Sequence, residues 1–193
     1  TNVTFECMLK RSGTQTDFAG VAMHGNVLTT TSPFVAGLIF RGTGNALGYW
    51  WYSTNTASAN GESFNYQSTL VPPDETWVYA AVAITPASGT IYMYDGTNWS
   101  SAVNTRAHKT AHFTGPTWIG GDRNVANRWL NGCVDEVAFY DQTLTEGHVV
   151  LKQKGIKGYQ IKKTRTIRPA DGQAKVEVKT WATWSKPEAC STR

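Results

Sequence analysis

Thr76-Trp77-Val78-Tyr79-Ala80-Ala81-Val82-Ala83-Ile84-Thr85 is the stretch whose reading decides the fold, together with Ser88-Gly89-Thr90-Ile91-Tyr92-Met93-Tyr94-Asp95-Gly96 after it. The first run is nearly continuous in apolar residues, so it reads as a central strand covered on both faces. Its β-branched and aromatic content suits a pleated, packed surface. The second run reads as its antiparallel partner, reached through the turn at Pro86-Ala87.

The same texture extends outward in both directions. Candidate strands are Val3 to Arg11, Phe18 to His24, Phe34 to Arg41, Ala46 to Ser53, Ser63 to Gln67, Trp77 to Thr85, Thr90 to Tyr94, Thr117 to Ile119 and Leu130 to Tyr140. Turn signals separate them, among them Arg11-Ser12-Gly13, Gly42-Thr43-Gly44-Asn45, Asn60-Gly61, Pro72-Pro73-Asp74 and Gly120-Gly121-Asp122. Many short strands at this spacing predict an all-β, two-sheet antiparallel sandwich. One short helix is expected, capped by Thr143 and stopped at Gly155. From Tyr159 the chain changes character. A basic stretch to Arg168, a turn at Pro169-Ala170-Asp171-Gly172 and a strictly alternating run from Gln173 to Trp184 predict a C-terminal β-hairpin. The expected division is a sandwich over 1–158 and a hairpin extension over 159–193.

The 193 residues are 40% hydrophobic and 17% charged, a globular composition. No apolar run approaches the roughly 18 residues of a membrane span, so no membrane insertion is expected. The chain opens Thr1-Asn2-Val3 without an initiator Met, and is expected to be processed or cut from something longer. The net charge of +4 conceals an asymmetry. From Lys152 onward, eleven Lys and Arg face only Asp171, Glu177 and Glu188, so the body is acidic and the tail strongly basic. Such a tail meets an acidic surface or protects a strand edge. No nucleic-acid motif accompanies it. Cys7, Cys133 and Cys190 show no metal-binding spacing. Cys7 and Cys133 lie in strand-like runs, either as neighbours able to bond or as buried free thiols.

Taken in order, the segments resemble the laminin-G-like, concanavalin-A-like jelly rolls of bacterial surface and carbohydrate-associated proteins. Asn131-Gly132-Cys133-Val134-Asp135-Glu136-Val137-Ala138-Phe139-Tyr140 followed by Leu144-Thr145 is similar to that family's closing strand and helix start. Trp77 to Ala83 with Ile91 to Gly96, Ile119-Gly120-Gly121-Asp122, Val3 to Gly13 with Phe18 to Ala22, and Leu47 to Trp51 resemble its other landmarks. The resemblance covers about residues 2–155 and implies a jelly-roll sandwich, extracellular or at a cell or particle surface. Two features depart from it. The family's usual first strand is absent here, and about 35 residues follow the usual end. The C-terminal hairpin is therefore expected to fill the open edge, in this chain or in a neighbouring subunit.

Some relatives are glycosidases, which need two carboxylates facing one cleft. In the jelly-roll glucanases these cluster along one strand. Here Glu62, Asp74, Glu75, Asp95 and Asp122 scatter among turns, and adjacent Asp135 and Glu136 point to opposite faces of a strand. No nucleophile elbow or phosphate loop appears, and no enzyme activity is expected. The resemblance allows one structural Ca²⁺ on Asp135, or a rim site of Asp122, Asn124 and Asp95, although calcium wants six to eight oxygens. The candidate ligand-binding residues are Tyr49, Trp50, Trp51 and Tyr52, one alternate pair in the core and the other on an open sheet face. Trp99 and Trp129, beside Asp122, Arg123, Asn124 and Arg128, are candidates for a rim pocket. The expected function is a non-catalytic carbohydrate-binding or adhesion module with a glycan partner. The alternative is a structural or decoration subunit that contacts a neighbouring protein subunit through its open edge and basic tail.

Overall fold

The computed structural model describes residues 2–25, 35–52, 63–110, 115–122, 126–144, 162–167 and 175–180. Twelve strands run through them: β1 (Val3–Arg11), β2 (Gly20–Gly25), β3 (Val35–Arg41), β4 (Ala46–Tyr52), β5 (Ser63–Gln67), β6 (Val78–Ile84), β7 (Gly89–Tyr94), β8 (Trp99–Asn104), β9 (Thr117–Ile119), β10 (Gly132–Tyr140), β11 (Lys162–Ile167) and β12 (Lys175–Thr180). One five-stranded sheet has the order β10-β1-β6-β7-β8, the other β5-β4-β3-β2-β9. All pairings within the two sheets are antiparallel.

The decisive run behaves as its composition demands. β6 is the middle strand of its sheet and every residue of it is buried. β7 returns beside it through a turn in which Thr85 Oγ1 accepts from the backbone N–H groups of Ala87 and Ser88. Strand β8 was not expected, because Trp99-Ser100-Ser101-Ala102-Val103-Asn104 carries too little apolar periodicity. It forms because β7 offers it a free edge, with Tyr94 opposite Trp99. The other body strands fall within about two residues of expectation.

Alternation sorts each strand between two environments. Phe5, Leu9, Val21, Leu38, Phe40, Leu47, Tyr49, Trp51, Val78, Val82, Ile84 and Ile91 fill the space between the sheets. Cys7 lies there as a buried free thiol, pushed well above the usual thiol range by burial and by the neighbouring Glu6 charge. Cys133 is held in a disulfide, so the two are not bonded to each other.

The chain divides into two compact units, residues 1–143 with the last two residues, and residues 144–191. In the second, β11 and β12 pair in antiparallel register from Lys162 opposite Thr180 to Ile167 opposite Lys175, forming a separate two-stranded sheet. The expected C-terminal hairpin is therefore present. No helix occurs among the described residues, and most of the helix expected after Thr143 lies outside them. None of the described residues forms a helix long and apolar enough to cross a membrane.

Candidate functional site

The aromatic run in β4 divides between two environments. Tyr49 and Trp51 are fully buried between the sheets and serve the core. Trp51 Nε1 donates to the Lys109 carbonyl, and Tyr49 hydrogen-bonds His108 and Asn104. Neither is open to a ligand. Trp50 and Tyr52 lie on the opposite face, Trp50 only 3% exposed and Tyr52 partly buried, in a second apolar cluster with Met23, Val35 and Ile39, against which Phe18 and Trp118 also pack.

Strand register assembles this outer face. Trp118 stands opposite Met23, Met23 opposite Gly37, Gly37 opposite Trp50, and Trp50 opposite Asn65. The row thus runs across the whole sheet, with no side chain at its centre. The rings of Trp50 and Tyr52 lie 5.2 Å apart, and those of Trp50 and Phe18 5.3 Å apart. Such separations are those of attractive aromatic pairs.

Two arginines close over Phe18. The Arg41 guanidinium lies 3.9 Å from the ring centroid and that of Arg128 4.7 Å, with Arg128 also 5.6 Å from the Trp50 ring. Each arginine is oriented by an acid. Arg41 pairs with Asp17 and donates to Asn65 Oδ1 at 2.8 Å. Arg128 pairs at 2.9 Å with Asp122, whose side chain is completely buried. Phe18 itself has φ +67°, a left-handed backbone that is costly for a bulky residue. Backbone bonds from Phe18 N–H to the Phe40 carbonyl and from Phe40 N–H to the Ala19 carbonyl hold it there. Strain retained in this way is a recurrent mark of functional positions.

The adjoining rim contributes Trp129. A β-bridge joins Trp129 to Gly121, and its indole lies directly over that glycine. It remains 53% exposed, so its ring is open to solvent. Trp50 and Tyr52 therefore come together with Phe18, Arg41, Arg128 and Asp122, while Trp129 lies over Gly121. Sequence reasoning missed Phe18 and Arg41, because only tertiary contacts set Phe18 against Trp50 and Arg41 over Phe18. Arg123 and Asn124 lie outside the described residues.

The remaining candidates are elsewhere. Trp99 is in the other sheet, packed at 5.2 Å on Tyr94 and 5.9 Å on Tyr79, and does not form the expected rim pocket with Trp129. Asp95 accepts from the N–H groups of Thr97 and Asn98 in the β7–β8 turn, which hold its carboxyl below the usual range. It is not beside Asp122. Asp135 is exposed and accepts from Glu136 N–H at 2.7 Å, at an irregularity where Glu136 has φ +53°. No group of three or more metal-ligating side chains occurs among the described residues.

The family model for the concanavalin A-like lectin/glucanases superfamily matches residues 2–150. A comparison with the curated proteins finds no match. Among solved structures, domain 4 of AbnA, an extracellular arabinanase from Geobacillus stearothermophilus, in complex with arabinotriose, is 16% identical with a TM-score of 0.53. That alignment covers 77% of this chain and 64% of the other. A Bacteroides ovatus protein inferred to bind carbohydrate is also 16% identical with a TM-score of 0.53, covering 93% of this chain and 53% of the other. The chain thus spans less than two thirds of either structure, and likeness at this identity shows the fold alone. The extent of the family match, with two antiparallel five-stranded sheets built as that fold requires, places the chain in the concanavalin A-like lectin/glucanases superfamily.

Proposed function

We propose that this protein is a non-catalytic carbohydrate-binding module of a secreted or surface protein, and that the outer face of the β5-β4-β3-β2-β9 sheet with its Trp129 rim holds the glycan. The observation that carries the reading is Trp129, 53% exposed over Gly121 and next in the chain to Arg128, whose guanidinium is paired with Asp122 and lies on Phe18. An indole face accepts the apolar face of a sugar ring, while oriented guanidinium and carboxylate groups bond its hydroxyls. Arabinotriose bound to a domain of the same fold supports a sugar as the ligand. The acids at this face, Asp17 and Asp122, are each engaged by an arginine. Hydrolysis needs an acid and a base flanking one bond, which this pairing does not provide.

A glycan array that includes arabino-oligosaccharides, followed by calorimetry on the hits, tests the proposal. Trp129→Ala should retain the wild-type melting temperature and lose about tenfold or more in affinity, the scale of one lost stacking contact. An array flat across all sugars, with stable oligomers on size exclusion, would overturn it in favour of an assembly subunit. Unchanged affinity in Trp129→Ala would remove the site.

A further inference from the structure

At the other end of β2 and β9, away from Gly121 and Trp129, the two sheets part around a cavity of about 480 Å³, lined by residues of β1, β2, β9 and β10. We propose that this cleft is a second binding site, distinct from the glycan face, for a small ring-bearing apolar molecule that is uncharged or cationic. Its volume lies within the range of ordinary ligand pockets. Val3, Phe5 and Phe139 form its apolar walls. The Phe5 and Phe139 rings meet edge to face at 5.0 Å, and His24 faces Phe139 at 6.3 Å.

The polar groups of the lining are largely committed within the protein. His24 Nδ1 and Thr117 Oγ1 bond each other at 3.0 Å, Thr4 Oγ1 donates to the Gln142 carbonyl, and Tyr140 Oη donates to Glu6 Oε1. These bonds leave an interior that solvates water poorly and accepts rings well. Phe139 nevertheless remains 38% exposed, although it stacks on a core phenylalanine. It offers a ring edge to an incoming molecule. The charged residue of the lining is Asp141, exposed at the end of β10 beside an exposed Asn2. A carboxylate there attracts a donor or cationic head group and repels an anion.

Fluorescence titration with N-phenyl-1-naphthylamine, a neutral ring-bearing amine, tests the assignment. One saturable site with enhanced, blue-shifted emission is expected. The sulfonated analogue 8-anilinonaphthalene-1-sulfonate should bind about tenfold more weakly or worse, and Asp141→Asn should narrow that gap. Thr117→Trp, which fills the cleft from an exposed strand edge, should abolish the signal while leaving the melting temperature and the glycan affinity in place. Phe139→Ser should weaken it independently. Non-saturable emission overturns the site, as does saturable emission indifferent to both Thr117→Trp and Phe139→Ser. Equal binding of the two dyes overturns the charge preference.

Discussion

A Cβ on Gly121 would lie 2.3 Å from the Trp129 ring, and one on Gly20 would lie 2.1 Å from the Gly121 carbonyl oxygen. The two close approaches have different consequences. The Trp129 ring is half exposed and can swing aside, whereas the Gly121 backbone cannot without breaking its bridge. Gly121→Ala is therefore expected to displace the indole, lowering glycan affinity about tenfold with a nearly unchanged urea midpoint. Gly20→Ala is expected to destabilise the protein by about 1–3 kcal/mol, the scale of an overpacked site. Calorimetry and equilibrium unfolding on both variants check the contrast. Equal effects would show that Trp129 is not positioned by Gly121. Sequence reading marked Gly120-Gly121 as a turn; it did not reveal that an indole lies over the second glycine.

At the scale of elements, one buried polar group holds a connecting segment in place. Asn104 at the end of β8 donates to Tyr49 Oη, which leaves that hydroxyl hydrogen for His108 Nε2 at 2.8 Å. His108 N–H also bonds the Pro86 carbonyl at 2.8 Å, and Trp51 Nε1 holds the Lys109 carbonyl. The segment after β8 is thus tied to the core face of β4. Tyr49→Phe keeps the ring and removes the hydroxyl, leaving buried partners short of a bond. Such a loss costs about 1–3 kcal/mol. Native-state hydrogen exchange should then show faster exchange at the His108 amide, with β6 amides following only the global loss. Unchanged protection at His108 would mean the segment is held by other contacts. The alternation in Tyr49-Trp50-Trp51-Tyr52 predicted one pair in the core, but which pair depends on strand register, and a slip of one residue would have exchanged them.

For the whole molecule, that histidine links folding to pH. Burial holds His108 well below the usual imidazole range, to about 4; the positive charge of Arg106 adds to this and a hydrogen bond with the Thr85 backbone opposes it. The unfolded chain, with an ordinary histidine near pKa 6.5, takes up its proton first on acidification. Stability from this group is complete above about pH 6.5 and falls as the pH drops towards about 4, because the unfolded state binds more protons across that window. Urea midpoints at intervals between neutral pH and about pH 4 should fall, and His108→Asn should flatten the part of the profile above the carboxylate range. A wild-type profile flat between about pH 6.5 and 5 would exclude this linkage.

The linear chain determined a great deal by itself. The apolar continuity of Trp77 to Thr85 required a central strand, and β6 is one. Period-two patterning set the strands, the ordered landmarks identified the family, and the alternating tail predicted its hairpin. These are local properties, carried by neighbouring residues and the two-residue repeat of a strand. The site was not local. Phe18, Arg41, Trp50 and Arg128 meet through antiparallel register and loop closure across more than a hundred positions of chain. The cleft between Phe5, His24 and Phe139 exists because two sheet edges part around it. Residue type announced which side chains were able to bind a ligand; only tertiary structure decided which of them face one another, because contact between distant strands is set by pairing that no short stretch of sequence encodes.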